Sequence, residues 1–226
     1  NNAININRAE LEGVELEYRV ERGDWIAGGN VAWQDAVNAS TGAALLRRAD
    51  RKAHVDLGYR FGNGLQKVKA LVDRGVAGQA YTASVEVAWR RRADYYAVPW
   101  RGRWETELGG VLLSQAVHAI DMLTFIAGPP ARVFARVTTR VNDIEVEDCA
   151  AAIITTADGA LMTATVTLGA ATESSRLKFV FENLTVESSQ SPYKPGAEPW
   201  TFSYGSKDVA KRAASALDGW TAPLSG

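Results

Sequence analysis

The chain has 226 residues, a formal net charge of −1, 46% apolar and 23% charged residues. That suits an ordinary globular protein with a sizeable core and gives no global attraction to nucleic acid or to an anionic membrane. Its single cysteine, Cys149, excludes an intramolecular disulfide, and no apolar run approaches the roughly 20 residues that span a bilayer. With no leader-like segment at Asn1, a cytoplasmic location is expected.

In chain order, Leu11, Val14, Leu16, Tyr18 and Val20 mark one strand, and Gly28-Gly29 a turn. Ala43 to Ala53 reads as a helix and His54 to Tyr59 as a short strand. Asn63 to Asp73 has Leu65, Val68, Leu71 and Val72 on one face and Gly75 as its stop, which predicts an amphipathic helix. Tyr81, Ala83, Val85, Val87 and Trp89 alternate with Thr82, Ser84 and Glu86, the pattern of a half-buried strand. A loop rich in Arg and aromatic residues follows through Trp104. Gly109-Gly110 then opens an apolar helix running to about Ala127, closed by Gly128-Pro129-Pro130.

Beyond it the chain reads as β. Arg132 to Thr139 alternates, and Cys149 to Thr155 and Ala160 to Thr167 flank a turn at Ala157-Asp158-Gly159. Arg176 to Phe181 and Leu184 to Ser188 form a second hairpin about Glu182-Asn183. Ser189 to Trp200 is a loop, and Lys207 to Leu217 a short terminal helix. Helices followed by antiparallel strands predict an α+β fold, an open, mostly antiparallel sheet with helices on one face. Val133, Ala135, Val137, Ile153, Met162 and Val166 put apolar surface on that sheet. One face should cover the helices and the other should pair with a second subunit, making a homo-oligomer.

Two segments carry chemistry. In the helix from Gly109 to Ala127, Ser114, His118 and Asp121 sit at i, i+4 and i+7, within a narrow arc, with Gln115 beside them. A histidine beside an acid suits proton transfer to or from a hydroxyl. A satisfied core histidine is the competing reading. The three residues are not a hydrolase triad, because side chains stacked along one helix do not converge. No metal site is expected, since two His and one Cys lack ligand spacing. The second segment holds Arg90, Arg91, Arg92, Tyr95, Tyr96, Trp100, Arg101, Arg103 and Trp104. Guanidinium forks and aromatic faces together suit an anionic, ring-bearing ligand, although a solvated loop with its rings on the core uses the same residues.

These segments together resemble the Gfo/Idh/MocA oxidoreductases, named for glucose-fructose oxidoreductase, inositol dehydrogenase and a rhizopine-catabolism protein. The resemblance rests on PWRGRWETELGG over Pro99 to Gly110, VLLSQAVHAID over Val111 to Asp121, and Gly128-Pro129. Gly58 to Phe61 with Leu65 to Gly75, the acidic run Ile144 to Asp148, and Asp158-Gly159-Ala160 agree with it. It implies hydride transfer between NAD or NADP and a hydroxyl-bearing carbon of a sugar, cyclitol or nucleotide sugar. His118 would be catalytic. Tyr95, Tyr96, Arg101, Ser114 and Asp121 would contact substrate, while Arg60, Trp100 and Arg101 would approach the cofactor. Ser114 stands where many members have Asp, which leaves more of the proton transfer to His118.

The N-terminal part departs from the pattern. No G-x-G-x-x-G occurs, and residues 30–36 lack the family's Glu-Lys-Pro. Residues 1–58 are therefore expected to be an incomplete or atypical remnant of a Rossmann-type dinucleotide-binding domain. Residues 59–226 would be the substrate-binding and oligomerisation domain. The chain is expected to be a fragment, inactive alone, of an NAD(P)-dependent enzyme. The alternative is a non-catalytic binding or assembly module that has lost its cofactor site.

Overall fold

The computed structural model describes residues 9–22, 25–38, 51–56 and 59–220, the first three stretches as strand backbone only. The chain divides into two compact units, Asn1–Leu57 and Gly58–Gly226.

In the first unit β1 (Ala9–Arg22), β2 (Trp25–Asn38) and β3 (Arg51–Asp56) lie in the order β1-β2-β3. Every strand pair described there is antiparallel. The strand expected around Leu11 to Val20 falls within β1. Gly28-Gly29 is not a turn: the pair lies inside β2, opposite Arg19 and Tyr18, and the strands reverse between Arg22 and Trp25. Glycine is tolerated inside a strand and punctuates the chain only when its neighbours leave the ladder. Residues 51–53, expected to end a helix, belong to β3 and pair with residues 31–33. The rest of that expected helix lies outside the described residues.

The second unit begins with a single 3-10 turn, Tyr59–Phe61, and α1 (Asn63–Asp73). Leu65, Val68 and Leu71 are buried on the inner face of α1, as their spacing predicts, while Val72 is only partly buried. Gly75, at φ 68°, closes the helix. The Val76 amide donates to Leu71 O at 2.9 Å and the Gly75 amide to Val72 O at 2.9 Å, the pair of hydrogen bonds that ends many helices at a left-handed glycine.

The sheet is built from β4 (Ala80–Arg90), β5 (Pro130–Thr138), β6 (Cys149–Thr156), β7 (Leu161–Thr167), β8 (Gly169–Phe181), β9 (Leu184–Glu187) and β10 (Thr201–Tyr204). Their order is β10-β9-β8-β4-β7-β6-β5, with β4 and β7 parallel and the other neighbours antiparallel. This is the expected α+β fold, an open and mostly antiparallel sheet with helices on one face. Two parts of it were not anticipated: β10, and the first half of β8.

The long helix expected over residues 109–127 is broken. Short turns α2 (Trp104–Glu107) and α3 (Val111–Ser114) precede α4 (Val117–Ala127), and the two segments meet at 45°. The chain leaves helical geometry at Gln115, φ −125° and ψ −53°. Burial is one-sided as a result. Ala119, Met122, Leu123 and Ile126 enter the core, while Leu113 stays 53% exposed. No single helix among the described residues is long and apolar enough to cross a membrane.

The core lies between the helices and the sheet. Leu65, Leu71, Met122 and Leu123 meet Val85, Val87, Leu177 and Phe179 there. Each such side chain contributes about 1.5–3 kcal/mol on leaving water. Terminal helix α5 (Lys207–Ala216) is capped by the Ser206 hydroxyl, which accepts from Val209 N at 3.2 Å. The apolar residues expected on the sheet divide. Met162 and Val166 are buried under the helices. Val133, Ala135 and Val137 share their side through the register but sit on edge strand β5, which is exposed throughout. Ile153 lies on the opposite, open face beside Phe134.

Candidate active site

Helix α4 and the Tyr59–Phe61 turn build the first cluster. His118 and Asp121 are three residues apart, so both project from one face of α4. The His118 imidazole stacks on the Tyr59 ring, centroids 4.8 Å apart and planes within 10°. Asp121 takes both arms of the Arg60 fork: Arg60 Nε donates to Oδ2 at 2.5 Å and Nη2 to Oδ1. Arg60 also lies over the Phe125 ring at 4.9 Å, and its carbonyl accepts from Gln66 Nε2 at 2.6 Å. The turn is thus clamped to α4 by one ring stack and one bidentate ion pair. Burial, with the nearby Tyr193 phenol, raises the Tyr59 hydroxyl above the ordinary tyrosine range. His118 is half-buried, and neither ring nitrogen has a hydrogen-bond partner among the described residues. A satisfied core histidine would have one.

The second cluster grows from the loop after β4. Arg101 lies 3.9 Å over the Tyr95 ring and 4.4 Å over Trp100, and its Nη1 donates to the Tyr95 hydroxyl. Gln115, buried at the helix break, donates from Nε2 to the same hydroxyl at 3.1 Å. The Ser114 hydroxyl lies 2.6 Å from Gln115 Oε1 and 2.7 Å from Gly110 O. Tyr96 meets Tyr95 edge-on, centroids 5.0 Å apart, and its own hydroxyl is pushed up to about 12, chiefly by burial.

The expected stripe is therefore divided. Ser114 joins Gln115, Tyr95 and Arg101, whereas His118 and Asp121 join Tyr59 and Arg60. Among the described residues no hydrogen bond links Ser114 to His118 or His118 to Asp121. Arg60 and Asp121, expected to face cofactor and substrate, are held by each other. Trp100 stays about half exposed.

Glu147 was noticed only as part of an acidic run, yet it sets the start of α3. Its carboxylate accepts from Gly110 N at 2.9 Å and Leu112 N at 3.1 Å, and its carbonyl from Val111 N at 2.8 Å. A Cβ on Gly110 would lie 1.8 Å from that carbonyl oxygen, so the position needs glycine for space. Gln115 was seen as a neighbour of the stripe, and nothing in the sequence marked it as the buried hub.

A nicotinamide cofactor would find part of its site here. The His118 imidazole, whose nitrogens have no hydrogen-bond partner among the described residues, and the exposed Trp100 could flank its ring end. A glycine-rich turn at a helix N-terminus, which would cradle the pyrophosphate, is missing from the sequence.

An open mixed sheet backed on one face by helices is the frame that carries both clusters. The Gfo/Idh/MocA C-terminal domain matches residues 65–187, and the chain belongs to the Gfo/Idh/MocA family. No curated protein matches it. Among solved structures it is similar to the WlbA dehydrogenase of Bordetella pertussis in complex with NADH and UDP-GlcNAcA. That match has 28% identity and a TM-score of 0.59 over 73% of this chain and 53% of that one. The WlbA dehydrogenase of Chromobacterium violaceum, also with NADH and UDP-GlcNAcA, matches at 28% identity and a TM-score of 0.57, covering 74% and 48%. An inositol dehydrogenase homolog of Azotobacter vinelandii with NAD+, at 14% identity and a TM-score of 0.54 over 65% and 42%, shares the fold. The chain spans about half the length of the WlbA structures it matches.

Proposed function

We propose that this chain is the substrate side of an NAD(P)-dependent oxidoreductase acting on a hydroxyl-bearing carbon of a sugar, cyclitol or nucleotide sugar. The observation that carries this reading is His118, a half-buried imidazole fixed by a ring stack with both nitrogens unclaimed by described residues. The nicotinamide, when bound, supplies the hydride chemistry. His118 takes the proton that leaves the substrate hydroxyl, or returns it in the reverse direction. Tyr59 fixes the plane of the imidazole, and the Arg60–Asp121 pair fixes the helix that carries it. Tyr95, held by Gln115 and Arg101, offers a phenol to a substrate oxygen, with Tyr96 and Ser114 beside it. Trp100 and Arg101 close over the cofactor end. The nucleotide-sugar ligands of the WlbA structures and the arginines of the loop favour an acidic or phosphorylated substrate.

The test is His118→Asn in the enzyme translated from the complete coding sequence. Turnover followed by nicotinamide absorbance should fall about 10²–10⁴-fold, with sugar affinity kept. A kcat within threefold of the parent would remove His118 from the chemistry. The 226-residue chain alone should bind neither NADH nor NADPH at micromolar concentration, because it lacks the pyrophosphate cradle. The second reading, a non-catalytic module, is favoured by residues 30–36 having no lysine. It takes over if the complete coding sequence also lacks both the lysine and the glycine fingerprint.

The open sheet face is assigned to a second copy of this chain. Phe134 is 69% and Ile153 56% exposed there as paired neighbours, an apolar patch that a twofold contact would cover.

A further inference from the structure

We propose that Glu173 and Tyr193 are positioning residues: together they moor the segment 189–200, which links the Tyr59–His118 cluster to the Tyr95–Arg101 cluster and sets the opening between them. The inference rests on the proposed reading that a substrate hydroxyl meets His118 in that opening.

Residues 189–200 have no regular secondary structure, yet they are fixed at both clusters. On the first side, the Leu65 amide donates to Gly196 O at 3.1 Å. A Cβ on Gly196 would lie 2.5 Å from Tyr59 O, and one on Gly62 would lie 2.2 Å from Gly196 C. The segment is therefore seated directly on the turn that carries Tyr59. On the second side, the Trp89 indole donates to Pro192 O at 2.9 Å, and Ser175 Oγ donates to the same carbonyl at 2.6 Å. Tyr193, next in the chain, packs on the Trp89 ring with centroids 4.9 Å apart.

The moorings meet at Glu173. Its Oε2 accepts from the Tyr193 hydroxyl at 2.6 Å, and its Oε1 from Arg90 N at 2.8 Å and Arg91 Nη1 at 3.1 Å. Arg91, whose charge is spent on this carboxylate, lies 5.2 Å from the centre of the Tyr95 ring. A continuous line of contacts thus runs from Tyr95 through Arg91 and Glu173 to Tyr193, and along the chain from there to the Tyr59 turn. Tyr193 is exposed, so its hydroxyl bond does more than burial to fix the ring. That bond holds the Glu173 carboxyl below the ordinary carboxylate range, which keeps it ionised at neutral pH and the bond charge-assisted. A single exposed ion pair would be worth little. Glu173 instead gathers three donors from two separate parts of the chain. Neither residue has to touch the substrate, since both act through Tyr59 and Tyr95.

The test has two readouts. The chain has two histidines, His54 and His118, so His118→Asn assigns the imidazole proton signals of the 226-residue chain. The ring current of Tyr59 shifts the His118 signal from the position of a free histidine. Tyr193→Phe and Glu173→Ala should move it back toward that position, and Glu173→Gln, which keeps an acceptor for the phenol, should restore part of the shift. The second readout is turnover of the enzyme translated from the complete coding sequence, with glucose, glucose 6-phosphate, myo-inositol and UDP-glucuronic acid as probes. A misplacement of about 1 Å costs ~10²-fold in rate, so the smaller shift expected here should lower kcat about tenfold on the best probe. Ser206→Ala, which removes the α5 cap and lowers stability away from the site, should change neither readout. An unmoved His118 signal, or a kcat within threefold of the parent in Glu173→Ala, overturns the proposal alone. So does a Ser206→Ala variant that moves both readouts, because general destabilisation would then explain them. A parent enzyme that turns over none of the probes refutes the dehydrogenase reading, and the proposal falls with it.

Discussion

Asp148 offers the sharpest test of how the loop that follows β5 is held. Its side chain is fully buried, at 0% exposure. Oδ1 accepts from Arg140 N at 2.8 Å, while Oδ2 accepts from Val141 N at 2.9 Å, Asn142 N at 2.8 Å and Asn142 Nδ2 at 3.3 Å. Asp148→Asn preserves the shape and turns one acceptor into a donor. With the amide oxygen at the Oδ2 position, the contacts to Val141 and Asn142 survive but lose their charge. The new NH2 then faces the Arg140 amide, donor against donor. The opposite orientation sacrifices more contacts. Losing one charge-assisted bond costs about 1.5–3 kcal/mol and stranding a buried donor adds to it, so the variant should lose about 3 kcal/mol. At ~2–4 °C per kcal/mol for a unit of this size, the melting temperature should fall by ~6–12 °C. Urea unfolding followed by circular dichroism measures the loss directly. Asp143→Asn, an exposed carboxylate of the same loop, should stay within about 0.5 kcal/mol of the parent. An Asp148→Asn variant melting within a degree of the parent would refute the reasoning, because the loop amides would then be satisfied without the carboxylate.

Gly110→Ala forces a methyl group against the Glu147 carbonyl and should cost about 1–3 kcal/mol, as overpacking does, with activity of the complete enzyme falling alongside; denaturation and turnover measure the two effects. Tyr96, pushed up to about 12 by burial, keeps its proton in the folded chain where the unfolded chain ionises near ~10. Its contribution to stability is therefore present below pH ~10 and is lost as pH rises from there through about 12. Alkaline titration of phenolate absorbance should show a late step that Tyr96→Phe removes. Phe134→Glu on the open face should lower the sedimentation mass of an oligomer to that of one chain, and an unchanged mass would clear the face of that role.

How much of this was legible depends on the range of the forces involved. The alternation along Tyr81 to Trp89 reports directly on which side of β4 is buried, and Ala83, Val85, Val87 and Trp89 are the residues inside. Asn63 to Asp73 carried its own stop at Gly75, and the 149–167 hairpin its own turn, with Gly159 at φ 93°. The failures share one feature, in that a distant partner decided them. Residues 51–53 became strand because β2 offered a ladder. Thr201–Tyr204 is a strand through its pairing with β9, and no four-residue window announces that. The expected helix over 109–127 has continuous apolar character, so nothing local marked a break.

The break has a reason, and it changes the meaning of the polar stripe. Glu147 holds the start of α3, and Tyr95 with Ser114 engages the side chain of Gln115. An unbroken helix would have to carry Gln115 away from one of these partners, and a buried amide without them is costly. The chain instead leaves helical geometry at that residue and resumes it at Val117. Ser114 is thereby committed to Gly110 O and Gln115 Oε1, and Asp121 is already committed to Arg60. Of the three polar residues read from the stripe, only His118 keeps its polar atoms without a described partner. Among the described residues no hydrogen bond links Ser114, His118 and Asp121, so under the proposed function the proton transfer rests on the one imidazole. Gln115→Leu should then disturb the Tyr95 network while leaving the Tyr59–His118 stack in place.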